Sequence, residues 1–308
     1  GSGAGWGGGG TYPLHVILNG KLLPATEAAV SVFDRAFAYG DALFETLKIL
    51  DGRPVFFEEH CRRLEQGMEK AGFAGLAEPD QLRRQCLELA GANEVERGRL
   101  RLQVSRGAPE PGQAGGFDPA PGLKPTVLVT CEEFPGYPEE QYRDGVECVT
   151  VPFNRGVLAP LKSTSMMPAV LARQNMRAAG AGEVILTASD GKLLEGTFTN
   201  IFFINGGRLV TPPDDEPILA GVTRGKAIDI AAEMGIQVEF KPLLADELNR
   251  EATSAFLTSS LLGICPVMSI DGIRLKRDNE LTGAMSRRLE ELEIEDAKRF
   301  SGRDERPL

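Results

Sequence analysis

The sequence predicts a mixed α/β chain of the α+β kind, folded as two domains. Three observations predict it. The chain has 308 residues, and at roughly 150 residues per domain that length suggests two domains or one large one. Segments that alternate apolar and polar with period two are interleaved with segments whose apolar residues recur at i, i+4 and i+7. Finally, Glu132–Pro138 carries Pro135, Gly136 and Pro138 and reads as a linker. The expected division is a flexible tail or tag at 1–10, a smaller N-terminal domain at 11–131, the linker at 132–138 and a larger C-terminal domain at 139–308.

His15–Leu18 reads as a strand, Asn19-Gly20 as a tight hairpin turn and Lys21–Pro24 as the return. Asp41–Leu50 is apolar and β-rich, and Asp51-Gly52 turns it into Pro54–Phe57. Glu58–Ala71 is helical because Leu64, Met68 and Ala71 share one face, and Gly72 stops it. Pro79–Ala90 is a second helix; Arg99–Ser105 and Thr126–Cys131 are strands. Beyond the linker, Gly145–Pro152 is a strand and Pro168–Ala179 a helix. Short β segments follow at Glu183–Thr187, Thr199–Ile204 and Arg208–Thr211, separated by the turns Asp190-Gly191 and Asn205-Gly206-Gly207. Thr223–Met234 is a helix, Val238–Lys241 a strand, Leu244–Arg250 a short helix, Ala255–Thr258 a strand and Gly283–Leu292 the last helix. Arg299–Leu308 is charged and expected to fray.

Composition narrows the function. With 34 Lys+Arg against 44 Asp+Glu, the net charge is −10, which argues against a nucleic-acid partner. No apolar run approaches the roughly 18 residues that span a bilayer. Five scattered cysteines, with no C-x-x-C pair and no secretory leader pattern, point to a reduced, cytoplasmic setting. His15 and His60 are the two histidines, so a zinc site is not expected. His15 lies in a strand and His60 in a charged helical stretch, so neither suits a Ser-His-Asp triad. Proton chemistry then falls to another group, and lysine is the natural one because desolvation lowers its pKa.

Several residues stand out, each with a plainer reading beside it. Lys162 sits in Pro160-Leu161-Lys162-Ser163 at an element junction, either a solvated loop lysine or an amine in a dry crevice. Glu195, among apolar residues and followed by Gly196, is a turn glutamate or an acid facing a cationic group such as a protonated pyridine nitrogen. Asn200 is a ladder-end residue or a support for that site. Gly221-Val222-Thr223-Arg224 opens a helix, either as an ordinary cap or as an anion cradle, and Ser260 could add a hydroxyl. Arg63, in Glu59-His60-Cys61-Arg62-Arg63-Leu64, is a solvated helix residue or a phosphate ligand. Arg99 and Arg101 share one strand face, either an exposed sheet face or a carboxylate clamp with Arg101 the more central.

Taken in order, these segments resemble a known family. They are Asp34-Arg35-Ala36-Phe37-Ala38-Tyr39-Gly40-Asp41 with Phe44-Glu45-Thr46, Glu59-His60-x-x-Arg63-Leu64, Lys162, and Glu195-Gly196-x-x-x-Asn200. Leu219-x-Gly221-Val222-Thr223-Arg224 and Pro266-Val267 after the Ser260 turn complete the set. From His15 to Ser286 the chain resembles the pyridoxal-phosphate (PLP) dependent fold type IV proteins: branched-chain and D-amino acid aminotransferases and 4-amino-4-deoxychorismate lyases. The resemblance implies a small N-terminal α/β domain, a larger β-barrel-like C-terminal domain, PLP between them and a homodimer. It implies that Lys162 is the Schiff-base lysine, that Glu195 pairs with the pyridine nitrogen and that Asn200 supports it. Arg63, Gly221, Val222, Thr223 and Ser260 would cup the phosphate. Tyr39, Phe44, Arg101, Leu261 and Leu262 would meet an amino acid or keto acid substrate. The activity implied is amino transfer between an amino acid, branched-chain-like or D, and a 2-keto acid, with 2-oxoglutarate as acceptor. The alternative is a lyase forming 4-aminobenzoate and pyruvate, and a third reading is a non-catalytic binder of a phosphate-bearing metabolite. The chain departs from the family pattern twice. Met166 and Met167 stand where branched-chain enzymes carry a tyrosine, and Arg106-Gly107 is followed by Ala108-Pro109-Glu110, neither the Arg-x-His of D-amino acid enzymes nor the tyrosine of many lyases.

Overall fold

The computed structural model describes residues 12–75, 79–113, 116–153, 155–178, 180–248 and 254–304. The tail expected at 1–10, Ala179, residues 249 and 250 of the expected helix Leu244–Arg250, and 305–308 of the C-terminal stretch lie outside the described residues. The chain divides into two compact units. An N-terminal unit comprises 12–135, 161–166 and 293–304, and a C-terminal unit comprises 136–160 and 167–292.

In the N-terminal unit, β1 (His15–Leu18) and β2 (Lys21–Pro24) form a hairpin. A five-residue helix α1 (Arg35–Tyr39) precedes β3 (Ala42–Leu50), which turns into β4 (Arg53–Pro54). Both hairpin turns, Asn19-Gly20 and Asp51-Gly52, have positive φ at both residues, the geometry that favours Asn, Asp and Gly. Helices α2 (Phe57–Ala71) and α3 (Pro79–Ala92) follow, then β5 (Arg97–Ser105) and β6 (Thr126–Glu133). The six strands form one antiparallel sheet in the order β2-β1-β6-β5-β3-β4.

Two expectations change here. The strand expected at Pro54–Phe57 stops at Pro54 because Phe57 opens α2, with the Phe56 N–H donating to Asp296 Oδ2 at 2.6 Å. The expected linker loses Glu132 and Glu133 to β6, where Glu132 accepts from Arg99. The helix α1 was not expected; it is short and held by its ends. Asp34 caps it by accepting from the Ala36 N–H at 2.8 Å, and Gly40 ends it with φ 67°.

Side-chain parity sets the two faces of the sheet. Leu43, Leu47, Ile49, Leu100 and Leu102 join Phe57, Cys61, Leu64 and Met68 of α2 in one buried cluster. Alternation puts Phe44, Thr46 and Lys48 on the other face, cross-strand from Gln103, Arg101 and Arg99.

The C-terminal unit begins with α4 (Glu139–Asp144), β7 (Val146–Pro152), α5 (Met167–Ala178), β8 (Glu183–Thr187), β9 (Leu193–Gly196), β10 (Asn200–Asn205) and β11 (Arg208–Thr211). It continues with α6 (Val222–Glu233), β12 (Val238–Phe240), β13 (Ser254–Ser259), β14 (Gly263–Ile270), β15 (Ile273–Arg274) and the first part of α7 (Asn279–Asp304), whose residues 293–304 belong to the N-terminal unit. Its strands make one mixed nine-stranded sheet. A ring runs β10-β13-β14-β7-β8-β9 and returns to β10 through the single pair Asn200↔Glu195. The sheet is thereby closed in the manner of a barrel, and the closing pair consists of two residues singled out in the sequence.

β14 escaped the sequence reading because most of its residues are buried, so it shows a continuous apolar run rather than alternation. The expected helix Leu244–Arg250 is a 3-10 turn at Ala245–Glu247. The last helix spans Asn279–Asp304 rather than Gly283–Leu292, so it takes in residues 299–304 of the stretch expected to fray. The cause is tertiary: Lys48 Nζ donates to Glu293 at 2.7 Å, and Phe300 packs edge-on against Phe57 with centroids 5.6 Å apart. Packing of this kind supplies most of a helix's stability.

Candidate active site

In the N-terminal unit the lysine segment is stitched to the start of β3. Thr164 N–H donates to Ala42 O and Phe44 N–H to Lys162 O, both at 2.9 Å, while Leu161 packs on the core. The half-buried Lys162 holds its Nζ 4.6 Å from the centroid of the Phe44 ring. Arg101 lies over the same ring, its Cζ 3.8 Å from the centroid. Burial, together with the charge of Arg99, lowers the Arg101 pKa to about 10. Its Nη2 donates at 3.3 Å to Gln103 Oε1, and among the described residues no carboxylate pairs with it. Lysine, phenyl ring and a desolvated guanidinium are therefore brought together from three separate segments.

Beneath them is a buried ionic cluster. Arg63 donates from Nε to Glu45 Oε1 at 2.8 Å and from Nη2 to Oε2 at 2.6 Å. His60 Nδ1 lies 2.7 Å from Glu45 Oε2. Burial alone would raise the Glu45 pKa, but the Arg63 charge and the hydrogen bonds from Arg63 and His60 hold it down at about 2. Burial lowers the His60 pKa, with the Arg63 and Lys162 charges adding to it against the pull of Glu45. His60 is thus a neutral imidazole donating its Nδ1–H to an ionised carboxylate. Glu45 is a partner the sequence reading missed. Its signal was visible: a charge at an inward position between Leu43, Leu47 and Ile49 must be paired.

The Asp34–Asp41 motif does different work. Asp34 accepts from Ser105 Oγ at 2.8 Å and Thr126 Oγ1 at 2.7 Å. Arg35 donates to Asp41 Oδ2 and to the carbonyls of Gly116 and Phe117, each at 2.7 Å. Arg106 also donates to Asp41 and to Ala71 O. Burial would raise the Asp41 pKa, and the two arginines overcome it and lower it. Tyr39, 46% exposed, sits under the Arg35 guanidinium and edge-on to Phe117. It lines a cleft with Val32, Phe33, Ala38 and Leu123.

In the C-terminal unit Glu195 is buried. Its Oε1 accepts from Arg155 Nε at 3.0 Å and its Oε2 from the Leu219 N–H at 2.8 Å. Asn200, its cross-strand partner, donates from Nδ2 to Leu219 O at 2.9 Å. Both backbone groups of Leu219 are therefore taken by the pair that closes the ring. Gly221, next along, is the N-cap of α6 and makes no side-chain cap bond. A Cβ there would stand 2.1 Å from Asn200 Oδ1, so a larger residue displaces the Asn200 amide. Val222 and the buried Thr223 form the first helical turn, whose N–H groups lack intrahelical partners. Ser260 lies just past β13, two positions beyond Thr258, the strand partner of Asn200. Leu261 is half-buried beside it, and the Leu262 side chain enters the core while its carbonyl accepts from Tyr142 Oη at 3.0 Å. Arg155 was not anticipated; an arginine in an irregular segment carries no periodic signal.

The family model described as amino-transferase class IV matches residues 42–270. A D-alanine aminotransferase of Bacillus licheniformis is 34% identical over 84% of this chain and 89% of its own. A putative branched-chain-amino-acid aminotransferase of Methanocaldococcus jannaschii is 33% identical over 90% of this chain and 94% of its own. Among solved structures, a 4-amino-4-deoxychorismate lyase from Pseudomonas aeruginosa superposes with a TM-score of 0.77 at 29% identity, covering 90% of this chain and 98% of that one.

Proposed function

The chain belongs to the class IV aminotransferase family, whose members depend on PLP, and we propose that it is an aminotransferase that moves an amino group between an amino acid and a 2-keto acid. The observation that carries this reading is the Lys162 amine and the Arg101 guanidinium on one Phe44 ring. A plain phosphate binder needs no amine held in that way.

The residues present fit PLP by their chemistry. Gly221 brings no side chain to the start of α6, and the helix turn behind it presents N–H groups without intrahelical partners, suited to a phosphate. Arg63, held bidentately by Glu45, is the cation this reading assigns to a phosphate. Glu195, a buried carboxylate, suits a protonated ring nitrogen, and Arg155 and Leu219 N–H hold its two oxygens in place. Asn200 positions Leu219 and packs on Gly221, and Ser260 adds a hydroxyl. When bound, PLP supplies the electron sink that makes a substrate Cα–H bond acidic. Lys162 would hold the proton released at the substrate Cα. Its place over the Phe44 face would stabilise the protonated amine. Arg101 binds a substrate carboxylate: a desolvated guanidinium with a long bond to Gln103 gains most from an anionic partner.

Exposed Val30, Val32, Phe33 and Phe37 support a homodimer that covers them. Five free, buried cysteines support a cytoplasmic setting. The lyase neighbour favours a second reading, release of pyruvate from aminodeoxychorismate. One assay separates the two. The PLP-loaded protein is mixed with D- and L-amino acids, then with keto acids, and its visible band is followed. Loss of the band on adding a donor and its return on adding an acceptor support amino transfer. Pyruvate formed from aminodeoxychorismate with no keto acid present supports the lyase instead, and a band unmoved by any donor refutes amino transfer.

A further inference from the structure

Glu183, the first residue of β8, is fully buried and has no part in the chemistry above. It is unusually well supplied with donors. Its Oε1 accepts from Val184 N–H at 2.8 Å, Thr197 Oγ1 at 2.7 Å, Thr197 N–H at 3.4 Å and Arg173 Nη1 at 3.3 Å. Its Oε2 accepts from Thr199 Oγ1 at 3.2 Å. Burial raises its pKa, and the Arg173 charge and these hydrogen bonds act the other way.

Most of these donors belong to one turn. Gly196 N–H donates to Thr199 O at 2.7 Å, so residues 196–199 form the tight connection from β9 to β10. The turn lies flush on the carboxylate: a Cβ on Gly196 would be 2.0 Å from Thr199 Oγ1 and 3.0 Å from Glu183 Oε2. Arg173, reaching from α5, donates to Thr197 Oγ1 as well and lies over the Phe198 ring at 4.7 Å. The residues on either side of the turn are Glu195 and Asn200, the pair that closes the ring and holds Leu219.

We propose that Glu183 is a positioning residue: by gathering Thr197 and Thr199 on one buried carboxylate, it sets the spacing of Glu195 and Asn200 and so aims Glu195 at the cofactor ring nitrogen. This rests on the reading of the chain as a PLP enzyme. A carboxylate suits the task because its two oxygens accept from all of these donors at once. Glutamine places an NH2 group among them and leaves Arg173 without its charge partner.

The test compares wild type with Glu183→Gln, Thr197→Val and Thr197→Ser. Thr197→Val is nearly isosteric and removes one hydroxyl; Thr197→Ser keeps that hydroxyl. Two quantities are read: the dissociation constant of PLP from the apo-protein, and the NMR signal of isotopically labelled PLP ring nitrogen, which reports the proton opposite Glu195. We expect PLP binding about tenfold weaker in Glu183→Gln and Thr197→Val, a ring-nitrogen signal displaced towards the unprotonated form in both, and wild-type values in Thr197→Ser. A drop in thermal stability with affinity and nitrogen signal unchanged overturns the proposal and leaves Glu183 a fold element only. If Glu183→Gln does not fold, Thr197→Val against Thr197→Ser decides. A wild-type protein that takes up no PLP overturns the functional reading and this proposal with it, and that result is seen before any variant is compared.

Discussion

Glu45→Gln tests the ionic cluster under the lysine. Glu45 is fully buried and holds both Arg63 and His60. Neutralising one member of a buried ion pair while its partners stay costs about 3–5 kcal/mol. The structure supplies an independent measure. A carboxyl held at about 2 instead of its ordinary 4.5 contributes roughly 3 kcal/mol to stability. Because its pKa is depressed by folding, that contribution is complete above the unfolded value, and it is lost as pH falls through the folded one. By about pH 3 roughly 2 kcal/mol of it is gone. Urea unfolding at a series of pH values from about 7 to about 3 should therefore give two results. Glu45→Gln is less stable than wild type at neutral pH, and it loses less stability than wild type on acidification, so the two curves converge. Parallel curves would refute the reasoning, since they would mean that Glu45 is not the group whose ionisation the cluster stabilises. PLP affinity should fall in the same variant, because Arg63 loses the bidentate partner that orients it.

Other substitutions probe the remaining parts. Lys162→Ala should lower amino transfer by about 10²- to 10⁴-fold, the range removed with a general acid–base group, and should abolish the visible band of the PLP-loaded protein; turnover near wild type would exclude Lys162 as the base. Arg101→Leu should raise KM for a dicarboxylate keto acid by about 10- to 100-fold, as expected for losing a charge-assisted contact, and steady-state kinetics against pyruvate will tell whether the effect follows the second carboxylate. Gly221→Ala should force Asn200 Oδ1 out of a 2.1 Å overlap, destabilise by about 1–3 kcal/mol and weaken PLP binding, read by thermal unfolding and by titration of the apo-protein.

What the sequence determined by itself is local or ordinal. Asn19-Gly20 and Asp51-Gly52 specify their turns because few residues accept positive φ. Leu64 and Met68 mark one face of α2 because a helix repeats every 3.6 residues. The ordered motifs around Lys162, Glu195 and Gly221 sufficed to indicate a family. None of this says which distant residues touch. That Lys162 and Arg101 share the Phe44 ring, that Glu45 clamps Arg63, that Arg155 holds Glu195 and that Asn200 fills the space a Cβ on Gly221 would need are consequences of strand register and sheet closure. Only the tertiary structure decided them, because strand pairing depends on the packing of whole faces, which no short stretch of chain carries. The last helix shows the same division: its sequence pattern was read only to Leu292, and it runs on to Asp304 where Lys48, Phe56 and Phe57 meet it from the far end of the chain.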